Sequence, residues 1–237
     1  MKVRGTRECR SCGTRWSYYE TGSVECPACG SMRSVGVDEE RKLHTASDVE
    51  LDLTAVREAV DDQPLREVAE EAVGTTRGFV RSYGFIDGAE LRPLTDMYLA
   101  ATELRVVADA VGRAMSVDDD EEYYFLSLLR GADLDERPPE DEVPESLRDS
   151  RGLAYARAIS EYRNDLRAYL DEYPDPAASD VLDRLRPHVK RVHALDGDVP
   201  TAESEALVRI AREIGRYVAD DDETALARAK SRLDELA

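Results

Sequence analysis

The stretch CRSCGTRWSYYETGSVECPACG, residues 9–30, contains all four cysteines of this 237-residue chain. They form two C-x-x-C pairs, Cys9 with Cys12 and Cys26 with Cys29, and 13 residues separate the pairs. Two such pairs supply the four thiolate ligands that tetrahedral zinc prefers, and four protein ligands leave no open position for water or substrate. The pattern therefore predicts one structural Zn²⁺ bound by these four cysteines.

The residues around the cysteines predict a small β structure. Each pair is followed by a glycine, Gly13 and Gly30, which permits the positive φ of a tight turn around a metal. Residues 14–19 are rich in strand formers, and Gly22-Ser23 is typical of a turn. We expect a hairpin between the cysteine pairs and a zinc ribbon over residues 1–37. A rubredoxin-like iron site, a redox dithiol and a catalytic zinc are less favoured alternatives.

The motif CRSCGTRW…CPACGS resembles the N-terminal zinc ribbon of transcription factor IIB-type proteins. From CGTRWSYYETGSVECPACGSMRSVGVDE onward, the whole chain resembles a group of haloarchaeal proteins of unknown function, which carry a ribbon in front of a helical body. The first resemblance implies zinc ligation by the four cysteines and covers only about the first 36 residues. The paired cyclin-like repeats of the transcription factor have no counterpart in the rest of the chain.

Acidic residues dominate the composition. The chain has 51 Asp and Glu against 32 Lys and Arg, a formal net charge of −19, and lysine at only four positions. This composition is similar to that of proteins from salt-loving archaea, although an ordinary acidic protein would also have it. We found neither a secretory signal nor an apolar run long enough to span a membrane. We therefore expect a halophilic, cytoplasmic protein that does not enter the membrane.

Charge is distributed unevenly along the chain. Residues 1–37 carry six basic and three acidic side chains, a formal charge of +3, whereas the remainder carries 26 against 48, or −22. The basic region suggests partner or nucleic-acid contacts, and the candidates are Arg10, Arg15, Trp16, Tyr18 and Arg33. The alternative for the aromatic residues is that they cover the metal and pack against the helices.

The remaining residues show helical periodicity almost throughout. After a linker at residues 38–47, we expect an acidic domain over residues 48–237 that forms a bundle-like body of about eight helices, without strands. A proline-bearing acidic connector at residues 133–144 is a candidate boundary between two helical subdomains.

Candidate N-terminal caps place the starts of individual helices. Ser47 with Glu50, the acidic run at Asp118–Glu122, Ser179, Thr201 and Asp220 are the residues expected at these starts.

We found no catalytic motif in the helical region. His44 is expected to be exposed in a loop, and His188 and His193 are too far apart on a helix to bind a metal together. The favoured function is a non-catalytic zinc-ribbon adaptor with a protein partner. A transcription-related nucleic-acid binder is the first alternative. An enzyme with a helical cleft that sequence does not reveal is the second, and the oligomeric state stays open.

Overall fold

The computed structural model describes residues 1–236 and is mainly α-helical, as predicted. The first 43 residues contain β1 (Lys2–Val3), β2 (Thr6–Cys9), β3 (Arg15–Ser17), α1 (Tyr18–Thr21), β4 (Ser34–Gly36) and β5 (Lys42–Leu43). Within the described residues, eight further helices form the body: α2 (Thr54–Glu58), α3 (Leu65–Ser82), α4 (Asp96–Arg113), α5 (Asp119–Gly131), α6 (Arg148–Glu172), α7 (Pro176–Ala194), α8 (Thr201–Asp220) and α9 (Glu223–Glu235). The predicted fold class is confirmed.

The N-terminal sheet differs from the predicted hairpin. β2, which precedes the first cysteine pair, is the central strand and pairs antiparallel with β3 and β4. Only β3 lies between the two pairs, because Ser17 caps α1 by accepting a hydrogen bond from the Glu20 N–H, and the chain leaves the sheet there. Residues 24–25 form no strand.

The body contains a short hairpin that periodicity did not indicate. β6 (Ile86–Asp87) and β7 (Glu90–Leu91) pair antiparallel across the two-residue turn Gly88-Ala89. Strands of two residues are too short to show alternation in the sequence. The expectation of no strand beyond the ribbon was therefore wrong.

Of the five predicted helix starts, two were wrong and two lie one or two residues from the predicted cap. The segment after Ser47 is not helical, and the first body helix begins only at Thr54. In this segment Leu51 and Leu53 are buried, with exposed Asp52 between them. Helix α7 begins at Pro176 rather than at Ser179, since the Asp175 carboxylate caps it by accepting from the Ala178 N–H. The helices expected to be capped by Thr201 and Asp220 have Pro200 and Asp222 at that position. By contrast, α5 begins at the acidic run as predicted, and Asp118 caps it in a full capping box with Glu121.

Helix α4 lies at the centre of the body and packs against α3, α5 and α6, while α6 and α7 also pack against α8. The buried apolar side chains form one cluster that extends from Leu51 to Leu233 and includes residues on both sides of the 133–144 connector. Met115 is fully exposed because α4 ends at Arg113. No described helix is both long and apolar enough to cross a membrane.

The β region packs against the body through residues 42–48. β5 pairs with β1, and Thr45 donates a hydrogen bond to Asp165 of α6, which also accepts from the Phe85 N–H. His44 is buried with only 3% of its surface exposed, contrary to expectation. Its ring lies against Tyr18 and Tyr19 of α1, so the histidine fills the joint between the two regions.

Candidate metal centre and buried charge network

The two cysteine pairs lie in turns of the same geometry. In the first turn, the Gly13 N–H donates to the Cys9 carbonyl at 3.0 Å; in the second, the Gly30 N–H donates to the Cys26 carbonyl at 2.9 Å. Gly13 and Gly30 have φ values of 76° and 67°, as the sequence predicted. Because β4 pairs with β2 after the second turn, the sheet brings the two turns face to face.

The four sulfur atoms converge. All Sγ atoms lie within 4.8 Å of one another, with Cys9 to Cys29 at 3.7 Å and Cys12 to Cys26 at 3.6 Å. Zn–S bonds of about 2.3 Å in a tetrahedron place sulfur atoms about 3.8 Å apart, so this donor set fits a metal ion of that kind. One cysteine of each pair, Cys9 and Cys26, is buried, while Cys12 and Cys29 are exposed.

The backbone around the sulfur atoms favours the thiolate form that binds metal. The Ser11 N–H donates to the Cys9 Sγ at 3.3 Å. Desolvation acts to raise the pKa of Cys9, but the backbone N–H groups of Cys12 and Ser11 outweigh it and lower this pKa to about 6. Hydrogen bonds with Thr14 likewise lower the pKa of Cys12. Thiolate is thus accessible at neutral pH at Cys9 before any metal binds. At Cys29 a backbone hydrogen bond from Ser31 acts to lower the pKa, but Cys12, desolvation, Cys26 and Cys9 together raise it to about 12.

The aromatic candidates for partner contact point inward. Trp16 is 8% exposed, packs with Cys9 and Cys26, and donates its indole N–H to the Ser23 carbonyl at 3.1 Å. Tyr18 is half-buried against His44. These contacts correspond to the packing alternative, in which the large side chains cover the metal site and the joint.

The arginine candidates lie on the outside. Arg15 is paired with Glu8 at 2.6 Å. Arg10 and Arg33 are exposed, have no ion-pair partner within residues 1–236, and are adjacent because the Arg10 N–H donates to the Arg33 carbonyl at 2.8 Å. The neighbouring Met32 is 65% exposed. We call Arg10, Met32 and Arg33 the knuckle surface, since they flank the metal-binding turns.

A cluster of charged residues lies inside the body, where helical periodicity predicts apolar packing. Glu103 of α4 and Arg151 of α6 are completely buried, and the Arg151 Nε donates to the Glu103 carboxylate at 2.9 Å. The Tyr124 hydroxyl also donates to this carboxylate, and Arg151 donates to the Pro138 carbonyl. Desolvation opposes ionisation of Arg151, but Glu103 raises the pKa of Arg151, so the guanidinium group stays charged.

This network continues to the surface through alternating charges. Arg137, from the 133–144 connector, donates to Glu205 of α8 and to Asp96 at 2.6 Å. Asp96 accepts a further hydrogen bond from Arg212 at 2.8 Å. Desolvation acts to raise the pKa of Asp96, but Arg212 and Arg137 outweigh it and lower this pKa. We call this set the buried charge network: Asp96, Glu103, Arg137, Arg151, Glu205 and Arg212.

One feature of the sequence indicates this network. Glu103 lies four residues from both Leu99 and Val107, on the buried face of α4. A carboxylate at such a position requires a buried partner. Its partner, however, is 48 residues away in the chain, and neither periodicity nor motif spacing indicates that distance.

These features define the class: a mainly helical protein with a four-cysteine metal-binding motif in a small N-terminal β region. The chain belongs to the family of unknown function DUF7117, whose model matches residues 1–233. Searches of curated proteins and of solved structures each found no match.

Proposed function

We propose that the protein is a non-catalytic adaptor in which a zinc-stabilised ribbon presents the knuckle surface to a partner protein. One observation carries this proposal: the ribbon is anchored by α1, β1 and β5, whereas the metal-binding turns are exposed on its other side. Zinc is the favoured metal because four thiolates with sulfur separations near 3.7 Å match its preferred tetrahedral site.

The chemistry of the knuckle surface specifies the kind of partner. Arg10 and Arg33 present two unpaired guanidinium groups beside the exposed thioether of Met32. Arginine and methionine are both enriched at protein interfaces, where guanidinium groups bind carboxylates and methionine adapts to apolar pockets. The partner is therefore expected to offer carboxylates around an apolar depression.

The test compares charge reversal at the knuckle surface with charge reversal elsewhere. Tagged protein is recovered from a native-salt lysate as the wild type, as Arg10→Glu/Arg33→Glu, and as the control Arg77→Glu/Arg130→Glu, which changes two exposed helical arginines. A partner present with the wild type and the control but lost with the knuckle variant supports the proposal. Equal recovery with all three proteins, at equal metal content, contradicts it.

A nucleic-acid role is the second candidate, and the formal charge of +3 on residues 1–37 favours it. One zinc ion with four thiolates adds −2, which leaves only about +1. Base stacking by Trp16 would require it to leave its buried position. Retention on immobilised DNA at molar salt, lost in Arg10→Glu/Arg33→Glu, would support this function over the adaptor.

The working environment that we propose is the molar-salt cytoplasm of a salt-loving archaeon. The formal charge of −19 disfavours the compact state unless salt screens the repulsion. We expect the thermal midpoint to fall when potassium chloride is lowered from molar to millimolar. A midpoint that does not change over this range would contradict the proposal.

A further inference from the structure

A cleft of about 420 Å³ opens between the segment Leu91–Asp96 and the C-terminal half of α8. Tyr162 of α6 lines it, and Leu91, Pro93 and Ala219 supply apolar surface. Its volume lies within the range of small-molecule sites. The cleft lies at the outer end of the buried charge network, because Asp96 and Arg212 belong to both.

The hydroxyl of Tyr162 has no hydrogen-bond partner within residues 1–236, although the side chain is only 1% exposed. Gly215, which also lines the cleft, makes room for it: a Cβ at that position would lie 1.8 Å from the Tyr162 Oη. Burial raises the pKa of Tyr162, so its hydroxyl stays protonated and can donate a hydrogen bond. An unused hydroxyl donor at the wall of a cleft favours a ligand that brings an acceptor.

Two arginines on α8 add charged donors to the same cleft. The Arg212 Nε donates to the Leu94 carbonyl at 2.7 Å and one Nη donates to Asp96, which fixes the guanidinium group and leaves its second Nη unbonded among the described residues. Arg216, one turn further along, has no ion-pair partner in the described part of the chain.

The polar and apolar groups that line the cleft restrict the class of ligand that it can bind. The donors of Tyr162, Arg212 and Arg216 suit the oxygen atoms of a carboxylate or a phosphate. Leu91 and Pro93 suit an apolar group attached to that oxyanion. Asp135 and Asp220 line the same cleft and repel extended polyanions such as nucleic acid.

We propose that this cleft binds a small organic molecule in which an apolar group carries one carboxylate or phosphate. Its oxyanion accepts hydrogen bonds from Tyr162, Arg212 and Arg216, and its apolar group packs against Leu91 and Pro93. This site is independent of the knuckle surface and of any partner bound there.

The experiment titrates the full-length protein, with its metal bound, with benzoate, phenyl phosphate and neutral benzyl alcohol in molar potassium chloride, using ligand-observed NMR. We expect saturable binding of at least one anion and none of the alcohol; the tighter anion identifies carboxylate or phosphate. Arg216→Gln should weaken binding about tenfold, because a charge-assisted hydrogen bond is lost. Tyr162→Phe should weaken it several-fold.

The control is Arg186→Gln, an exposed arginine of α7 outside the cleft, and it should bind like the wild type. Arg216 is exposed, so its substitution is not expected to disturb folding, and circular dichroism checks this for every variant. Failure of both anions to saturate, equal binding of the alcohol, or unchanged binding to Arg216→Gln would overturn the proposal.

Discussion

The N-terminal β region and the helical body are stabilised by different interactions. In the β region, the buried apolar cluster consists of Cys9, Trp16 and Cys26, whereas the body has one core that runs from Leu51 to Leu233. A segment of about 40 residues buries too little surface to fold alone without metal or disulfides. A metal ion bound by the four cysteines would replace a hydrophobic core in the first region, whereas the body needs no such replacement.

The two regions also differ in where their charges lie. The ribbon keeps Arg10 and Arg33 exposed, whereas the body buries Arg151 and Glu103 completely. A buried ion pair carries a large desolvation cost and is weak evidence for stability by itself. Removal of only one partner nevertheless lowers the free energy of unfolding strongly. The role of the buried pair can therefore be tested by substituting one partner and then both.

The largest expected effect follows removal of the metal. Chelation, or Cys26→Ser, should unfold the ribbon while helical circular dichroism persists, because structural zinc provides about 10–16 kcal/mol of apparent binding free energy in small metal domains. Trp16 is the only tryptophan, so its fluorescence reports on the ribbon alone. We expect a red shift of its emission together with loss of bound metal.

Ser11→Ala is the matched control for that experiment. Ser11 lies in the first cysteine turn, but it contacts Cys9 through its backbone N–H, which the substitution preserves. Metal content and Trp16 emission should match those of the wild type. Loss of helical circular dichroism on chelation would contradict the claim that the two regions are stabilised separately, because they would then unfold as one unit.

The next largest effect concerns the buried charge network. Arg151→Met leaves the Glu103 carboxylate buried with Tyr124 as its remaining hydrogen-bond partner. Removal of one partner from a buried pair costs about 3–5 kcal/mol. Urea unfolding followed by helical circular dichroism should show this loss, and Glu103→Leu/Arg151→Met should regain part of it.

Arg113→Met provides the contrast, since Arg113 and Asp109 form an exposed ion pair on α4. Exposed helical pairs contribute about 0.3–0.5 kcal/mol, so the urea midpoint should hardly move. If Arg151→Met cost no more than Arg113→Met, the pair in the core would have no special role in stability.

The smallest expected effect is the pH dependence of the joint. Burial is the main cause of the lowered pKa of His44; Asp87 opposes this shift, and Arg92 and the chain N-terminus add to it. Its Nδ1 accepts from the Gly88 N–H at 3.2 Å, which requires the neutral ring. The unfolded state therefore binds a proton at His44 more readily than the folded state does. The contribution of neutral His44 to the free energy of unfolding is complete above pH ~6.5 and is lost as the pH falls below that value.

His44→Gln keeps an acceptor for Gly88 but does not titrate. The urea midpoint of the wild type should therefore fall more than that of the variant when the pH is lowered through this range. Parallel curves for the two proteins would show that His44 does not carry the pH dependence of the joint.

Local patterns predicted much of the fold and the metal site. The Asp118 capping box and the Gly13 and Gly30 turns depend only on neighbouring residues, and the structure contains all three. The predicted hairpin failed because the partner of β3 precedes the first cysteine pair, a choice that no local pattern encodes. The prediction that His44 is exposed was wrong for the same reason, since the aromatic rings that bury it belong to Tyr18 and Tyr19, which are distant in the sequence.

By itself, the sequence determined the cluster of four cysteines, the helical class of the body and the uneven distribution of charge. These follow from spacing, periodicity and composition, which act over a few residues. Only the tertiary structure decided that Glu103 meets Arg151 and that Tyr162, Gly215 and Arg216 share a cleft. Such contacts join residues about 50 or more positions apart, and packing in three dimensions selects them among many pairings that the sequence alone leaves equivalent.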